Sequence, residues 1–337
     1  MNAIVYEKYG SPDVLQLKEV DKPTPMSNEV LIRIHAAAVT ATDPVDRKGE
    51  PFVARIFSGL TRPKHSIPGG TLAGVVEAAG KDVKRFSGGD RVYGSAGLNL
   101  GAHAEYICLP EGEALAVIPD SVSYEDAAAM VDGVLTAVPF LRDEAKLQRG
   151  QKVLINGAAG SVGTAAVQFA KYYGAEVIGV CSASNVVLVK SLGADKVIDY
   201  TEDDFTSNDD SYDVIFDAVG KSSYSRCKGA LKNGGIYLST GPTVGNFFIK
   251  TLGLVLEMLW TSKIGNKRAI FAATGLRSSS EKIEDLVFLN SLIEAGRIDP
   301  VIDRRYTLEE IADAHRYVET GHKKGNVVLT PVPNPNI

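Results

Sequence analysis

The sequence is poor in cysteine, with three in 337 residues, Cys108, Cys181 and Cys227. They form no CxxC pair and no even-numbered set. That excludes a disulfide framework and fits a reducing cytoplasm, with each cysteine read as a small buried hydrophobe. The histidines His35, His65, His103, His315 and His322 show no H-x-x-x-H or similar ligand spacing. Excess positive charge is absent too. A net charge of −5 provides no field to gather nucleic acid or anionic lipid, so neither is expected as a partner. The first residues, Met1 to Tyr6, enter a strand-like pattern with no basic n-region, apolar h-region or cleavage site, so no secretion signal is expected. The single apolar run long enough to suggest a membrane, 244–260, contains Lys250 and Glu257 and is shorter than a roughly 20-residue span. It reads as a lid, an interface helix or a pocket wall, with Phe247, Phe248 and Trp260 as a substrate roof or a subunit contact.

What is present is an ordinary globular composition, 45% hydrophobic and 23% charged, in a chain long enough for two domains. Residues 1–120 are β-rich, with strands expected at 30–38, 71–79 and 90–93 between glycine and proline turns. The pattern changes near Ser121, where Ser123 and the acids Glu125 and Asp126 start a helix. From 152 to 239, apolar strands at 153–156, 176–180, 196–199, 214–218 and 236–239 alternate with helical stretches. Such alternation indicates a parallel sheet covered on both faces. Amphipathic helices are expected at 281–295 and at 307–319, the latter capped by Thr307 with Glu310 three residues on. A last strand is expected at 327–329.

The strongest motif is the run Lys152-Val153-Leu154-Ile155-Asn156-Gly157-Ala158-Ala159-Gly160-Ser161-Val162-Gly163. A buried strand enters a glycine-rich turn and then a helix at 162–173. Gly160 and Gly163 occupy the last two glycine places of the dinucleotide-binding pattern, with Ala158 in the first. The helix N-terminus offers amides and a positive dipole end to a pyrophosphate. After the second strand an NAD site places an acid, yet here the chain reads Cys181-Ser182-Ala183-Ser184-Asn185. Without that acid, and with Ser182 and Ser184 as donors and Lys190 as a cation further on, the site favours NADP(H).

With these residues in view the chain resembles the medium-chain dehydrogenase/reductase superfamily, most of all its zinc-independent quinone oxidoreductase and ζ-crystallin branch. The resemblance is carried by Gly150-Gln151, Leu154, Ala158-Ala159-Gly160, Gly163, Gln168 and Lys171. It extends to Pro68-Gly69 with Ala73-Gly74-Val75-Val76, Asp90-Arg91-Val92, the run 101–106, Leu135-Thr136-Ala137 and Gly325-Asn326-Val327-Val328. Ser161 departs from the branch, which usually has a second consecutive glycine there. The resemblance implies an α/β chain: a Rossmann domain with a parallel doubly wound sheet at 121–267, plus a discontinuous GroES-like, partly open β-barrel catalytic domain at 1–120 and 268–337. It also implies an active site in the cleft between them and a homodimer.

In the zinc alcohol dehydrogenases of this superfamily a cysteine, a His-Glu pair and a second cysteine hold the metal. At the matching places this chain has Thr40, Gly70-Thr71 and Asp132, so no metal is expected. Losing that Lewis acid argues against simple alcohols and for direct hydride delivery to a quinone or an α,β-unsaturated carbonyl. The resemblance places Thr40, Thr42, Asp43, Asp132 and Thr136 near the nicotinamide, with Thr40, Asp43 and Thr136 as the expected catalytic set. It places Thr136, Ala159, Gly160, Ser161, Val162, Gly163, Ser182, Ser184, Tyr200, Ala218, Gly241 and Asn326 on NADPH. Tyr93 and Tyr106 are candidate acids, each also readable as a packed barrel tyrosine. The alternatives are a zinc-free alcohol or enoyl-thioester enzyme of the same superfamily and a non-enzymatic nucleotide-dependent binding protein.

Overall fold

The structure is a computed structural model that describes residues 1–52, 55–207, 211–241, 261, 266–272 and 274–331. The apolar run 244–260 lies outside these residues. By contact the chain divides into two units: Met1–Asp132 with Arg277–Ala295 and Pro300–Ile337, and Gly133–Leu276 with Gly296–Asp299.

The first unit is built on a long strand. Its strands are β1 (Asn2–Val5), β2 (Gln16–Glu19), β3 (Glu29–Val39), β4 (Thr71–Ala79), β5 (Arg91–Ser95), β6 (Tyr106–Pro110), β7 (Ala114–Val117), β14 (Ile302–Thr307) and β15 (Asn326–Thr330). Helices α1 (Asp43–Lys48) and α2 (Arg55–Ser58) follow β3, and α7 (Ser279–Glu294) and α8 (Ile311–Glu319) come from the C-terminal part. The seven-stranded sheet runs β14-β15-β3-β4-β5-β7, with β6 also on β3. Two strands share one edge of β3: β6 pairs residues 29–33 and β15 pairs residues 37–39. Register shifts against β4 at Leu31/Ile32 and Ile34/Ala36 are irregularities of the kind that bend a strand. Ile32, Ile34, Leu72, Val92, Leu115, Val327 and Leu329 are fully buried within this core.

The second unit holds β8 (Lys152–Asn156), β9 (Glu176–Cys181), β10 (Lys196–Asp199), β11 (Tyr212–Asp217), β12 (Leu231–Ser239) and β13 (Arg268–Phe271), with helices α4 (Ser161–Tyr172), α5 (Val186–Ser191) and α6 (Tyr224–Cys227). All strand pairs are parallel, in the order β10-β9-β8-β11-β12-β13. The order reverses between β8 and β11, and the crevice at the carboxyl ends of strands at such a point is where doubly wound sheets bind ligands. Val153, Leu154 and Ile155 have no exposed surface, as expected of a central strand covered on both faces.

Helix α3 (Tyr124–Val138) contains the boundary between the units, whereas the sequence alone suggested a break at 120/121. Its first turn is held by the first unit. Tyr124 stacks on His35 at 4.5 Å, and Arg305 Nε pairs with Glu125 Oε2 at 2.5 Å. Residues 296–299 join the second unit because Gln168 clamps them, its Nε2 donating to Asp299 O at 3.0 Å and its Oε1 accepting from Asp299 N–H at 2.8 Å.

The helix expected at 307–319 begins later, at Ile311. Tyr306 and Thr307 are paired in β14 with Leu329 and Thr330, and that ladder holds the backbone extended. Half of the expected capping box survives, since Glu310 Oε2 accepts from Thr307 N–H at 2.9 Å. The other C-terminal helix carries a complete box instead, with Ser278 and Glu281 capping α7 reciprocally.

Candidate active site

In the second unit the turn after β8 is closed by its own backbone. Gly157 and Ala158 N–H both donate to Val180 O, at 3.1 and 3.0 Å, and Gly160 N–H donates to Gly157 O at 3.0 Å. Two glycines have different reasons to be there. A Cβ on Gly163 would lie 2.1 Å from Gly157 O, so helix and turn can approach this closely only without one. Gly160 has no such constraint: its φ is −81°, and a Cβ there would meet nothing closer than Gly157 O at 3.6 Å. Nothing in the fold demands a glycine at 160, whereas a ligand brought against the backbone does. Gly160 is also the N-cap of α4, with no side-chain cap and no acid in the first turn. The amides and dipole end of that turn are therefore not committed to a capping side chain or an acid. These residues fit a dinucleotide pyrophosphate. Ala159, Ser161 and Gly163 are buried, while Gly160 and Val162 are half-buried.

Helix α3 packs on the first turn of α4. A Cβ on Gly133 would stand 2.9 Å from Ser161 O and 3.0 Å from Ala165 Cβ. Half-buried Thr136 lies three residues on, hence on the same helix face. Gly133 is a positioning residue that the sequence motifs did not indicate.

At the end of β9 the hydroxyls of Ser182 and Ser184 are 3.3 Å apart, and Asn185 Nδ2 donates to Ser182 Oγ at 3.1 Å. Lys190 and Tyr200 are exposed. No carboxylate lies within 181–185, but Asp199 closes β10 directly opposite Cys181. Its Oδ1 accepts from Thr201 N–H at 3.0 Å and Thr201 Oγ1 at 2.8 Å, and these bonds hold the carboxyl below the usual range.

A second acid absent from the sequence expectations organises the neighbouring strand ends. Asp217, fully buried at the end of β11, accepts from Asn156 Nδ2 at 2.9 Å, Ser222 N–H at 2.7 Å and Tyr237 OH at 3.1 Å. It fixes β8, β11 and β12 in register, and Ala218 N–H then donates to Asn156 O at 3.1 Å. Gly241 has φ +98°, and a Cβ there would lie 2.7 Å from the Phe271 ring, so packing alone accounts for this glycine.

In the first unit the end of β3 is tied down by Asp43. Its Oδ2 accepts from Thr40 N–H at 2.6 Å and from Thr40 Oγ1 at 2.7 Å, while Thr40 Oγ1 and Thr42 Oγ1 are 2.8 Å apart. Thr40 has a single hydroxyl proton, and Asp43 receives it. Thr42, which is exposed, then donates to Thr40. Buried Thr40 and Asp43 thus form a positioning pair, and an acceptor oxygen must find its donor elsewhere. Antiparallel pairing of Val327 with Val39 brings Asn326 alongside Thr40, and Asn326 is held by Val301 O through its N–H at 2.8 Å and its Nδ2 at 3.1 Å. Tyr93 is excluded as an acid, because its buried hydroxyl donates towards Leu286 O and Asn290 Oδ1 and burial raises its pKa. Tyr106 packs its ring under Lys22 Nζ at 3.8 Å.

The donor set does not fit zinc. Thr40 is committed to Asp43, and Gly70 and Thr71 offer neither thiolate nor imidazole. Among the described residues no group of three or more His, Cys, Asp or Glu could hold a metal ion. The three thiols are free, and burial pushes each up to about 11, which leaves them poor nucleophiles at neutral pH.

Residues 26–120 match the family profile described as alcohol dehydrogenase GroES-like domain, and residues 192–329 match that described as zinc-binding dehydrogenase. A 2-methylene-furan-3-one reductase of Solanum lycopersicum is 33% identical, over 99% of this chain and 80% of the relative. A quinone oxidoreductase of Pseudomonas aeruginosa is 32% identical, over 97% of this chain and 99% of the relative. The solved structure of Escherichia coli quinone oxidoreductase complexed with NADPH has a TM-score of 0.82 and 27% identity, covering 98% of this chain and 100% of that one.

Proposed function

This chain belongs to the medium-chain dehydrogenase/reductase superfamily, in its zinc-independent quinone oxidoreductase branch, and from that premise we propose that it reduces quinones or α,β-unsaturated carbonyls with NADPH. The observation that carries the reading is Gly160. Its glycine is unexplained by strain or packing and stands at the uncapped N-terminus of α4, where a pyrophosphate needs a bare backbone.

Bound NADPH supplies a hydride equivalent from its nicotinamide, and the protein supplies position and polarity. Amides at the start of α4 hold the pyrophosphate, with Ala159, Ser161, Val162 and Gly163 shaping the turn. Ser182, Ser184 and Tyr200 sit at the adenosine end, with Lys190 as the nearby cation. Asp217 keeps Ala218 at its strand end, and Thr136 shares a helix face with Gly133 against the turn. In the first unit Asp43 fixes Thr40 beside Asn326, forming the wall against which an apolar acceptor is oriented. The reading includes a homodimer and a reducing cytoplasm, the latter supported by three free thiols. No helix among the described residues is long and apolar enough to cross a membrane.

The test is NADPH against NADH oxidation over a panel of quinones, enones, alkenals, enoyl thioesters and aldehydes. Turnover confined to quinones, enones and alkenals, with NADPH preferred, supports the reading. Preferential turnover of enoyl thioesters or aldehydes replaces it with another acceptor class, and no turnover with any member leaves a binding protein. Sedimentation at assay concentration checks the dimer.

A further inference from the structure

The acceptor side needs a proton donor that Thr40, Tyr93 and the thiols do not supply, and a lysine lies in the turn at that end of the sheet. Lys323 is in the turn that leads into β15, three residues before Asn326, which register places alongside Thr40. Its Nζ is folded back to donate to Gly325 O at 2.7 Å. The turn is firmly held: a Cβ on Gly325, whose φ is +66°, would lie 2.3 Å from Val301 O, and Asn326 bonds that same carbonyl. Two carboxylates act electrostatically on the ammonium, Asp132 from α3 and Asp303 from β14. Asp303 Oδ2 already accepts from Lys324 N–H at 2.8 Å and from Tyr317 OH, so it braces the turn. Asp132 stands where the zinc enzymes of the superfamily have a cysteine ligand.

We propose that Lys323 donates the proton that neutralises the acceptor oxygen, with Asp132 holding its ammonium toward the substrate. The proposal rests on the enone and quinone reading above and deepens it. When the β-carbon of an enone receives the hydride equivalent, the C=C pair moves toward the carbonyl and negative charge collects on its oxygen. An N–H bond of the Lys323 ammonium breaks as the O–H bond forms. The enol then ketonises, and the neutral amine regains a proton from water, so one proton and one hydride are added overall. A lysine suits this role because burial lowers its pKa, opposed by Asp132 and Asp303, which brings proton release nearer neutral pH than in a solvated lysine.

The test compares wild type with Lys323→Gln and Lys323→Arg. Loss of a donor to a developing oxyanion is expected to cut enone kcat about 100-fold in Lys323→Gln, with NADPH affinity unchanged. Wild-type kcat/KM should fall on the alkaline side, that limb should vanish in Lys323→Gln, and Lys323→Arg should move it to higher pH. A second readout needs no turnover. In lysine-labelled protein without NADPH, one early-titrating Cε resonance should disappear in Lys323→Gln and move lower still in Asp132→Asn, while that of Lys282, which burial also lowers, stays in place. If wild type turns over and Lys323→Gln keeps its rate and pH profile, the proposal falls alone. It falls also if Lys323→Gln removes no early-titrating resonance. If wild type reduces no enone or quinone, the functional reading falls first and takes this one with it.

Discussion

The carbonyl oxygen of Gly157 lies 2.1 Å from where a Cβ on Gly163 would stand, so strand turn and helix meet through bare backbone. Three residues earlier, Gly160 has room for a methyl group. The two glycines therefore separate stability from binding. Gly163→Ala is expected to destabilise the protein by about 1–3 kcal/mol or more, as overpacking does. Gly160→Ala is expected to leave the melting temperature within about 2 °C while weakening NADPH binding roughly tenfold or more, because backbone approach to the pyrophosphate is lost. Thermal melts and NADPH fluorescence titration check both.

Asp217 collects hydrogen bonds from β8, from the turn that follows its own strand and from β12. Asp217→Ala leaves those buried donors without an acceptor, at a cost of roughly 3 kcal/mol or more. Tyr237→Phe removes one donor and should cost about 1 kcal/mol. Denaturant unfolding followed by tyrosine fluorescence and circular dichroism measures the difference. Equal stability of both variants would mean that the network is not what holds these strand ends.

Asp43 accepts both the N–H and the hydroxyl of Thr40. Asp43→Ala should lower kcat/KM for enones about 10–100-fold, because small displacements of a positioned wall are costly. Thr40→Val keeps the backbone bond and should lose less, with NADPH affinity unchanged in both. The reverse order of damage would make Thr40 the active group and Asp43 its accessory.

His315 is fully buried, and neither ring nitrogen has a hydrogen-bond partner among the described residues; His103 and the Arg47 guanidinium face it. Burial first, then those neighbours, lowers its pKa to about 2 from an ordinary 6.5. Between these values the unfolded chain binds a proton that the folded chain does not, so stability falls as pH drops through 6.5. At pH 5 the loss from this residue is about 2 kcal/mol, at 1.36 kcal/mol per unit. His315→Leu should lose less stability than wild type between pH 8 and pH 5.

Asp46 acts with the opposite sign. Burial, and then the Asp43 carboxylate, raises it from 3.8 to about 7. Between those values the folded chain keeps a proton that the unfolded chain has released, so stability falls as pH rises through that window. Asp46→Asn should flatten this part of the stability profile, measured by melts from pH 4 to pH 8. An unchanged slope would place the carboxyl in contact with solvent.

The glycine-rich turn was legible because its constraints are local. Strand, turn and helix follow one another within twelve residues, and φ, close approach and dipole act at fixed spacing. The missing zinc donors were legible for the same reason, since residue type alone decides whether a metal can be held. Thr307 shows the limit: its spacing to Glu310 is that of a helix cap, yet pairing with Thr330 keeps it in a strand. Asp217, Gly133 and Lys323 carry no local signature. Asp217 acts only where β8, β11 and β12 lie side by side, and Gly133 only where α3 crosses α4. Lys323 matters because β15 returns to β3 and sets Asn326 alongside Thr40. The sequence by itself determined the cofactor turn, the parallel alternation and the unsuitability for zinc, because short-range sterics and ligand chemistry act within one segment. Only the tertiary structure decided which polar groups are buried together, because hydrogen bonding and desolvation depend on neighbours that the chain brings close from far apart.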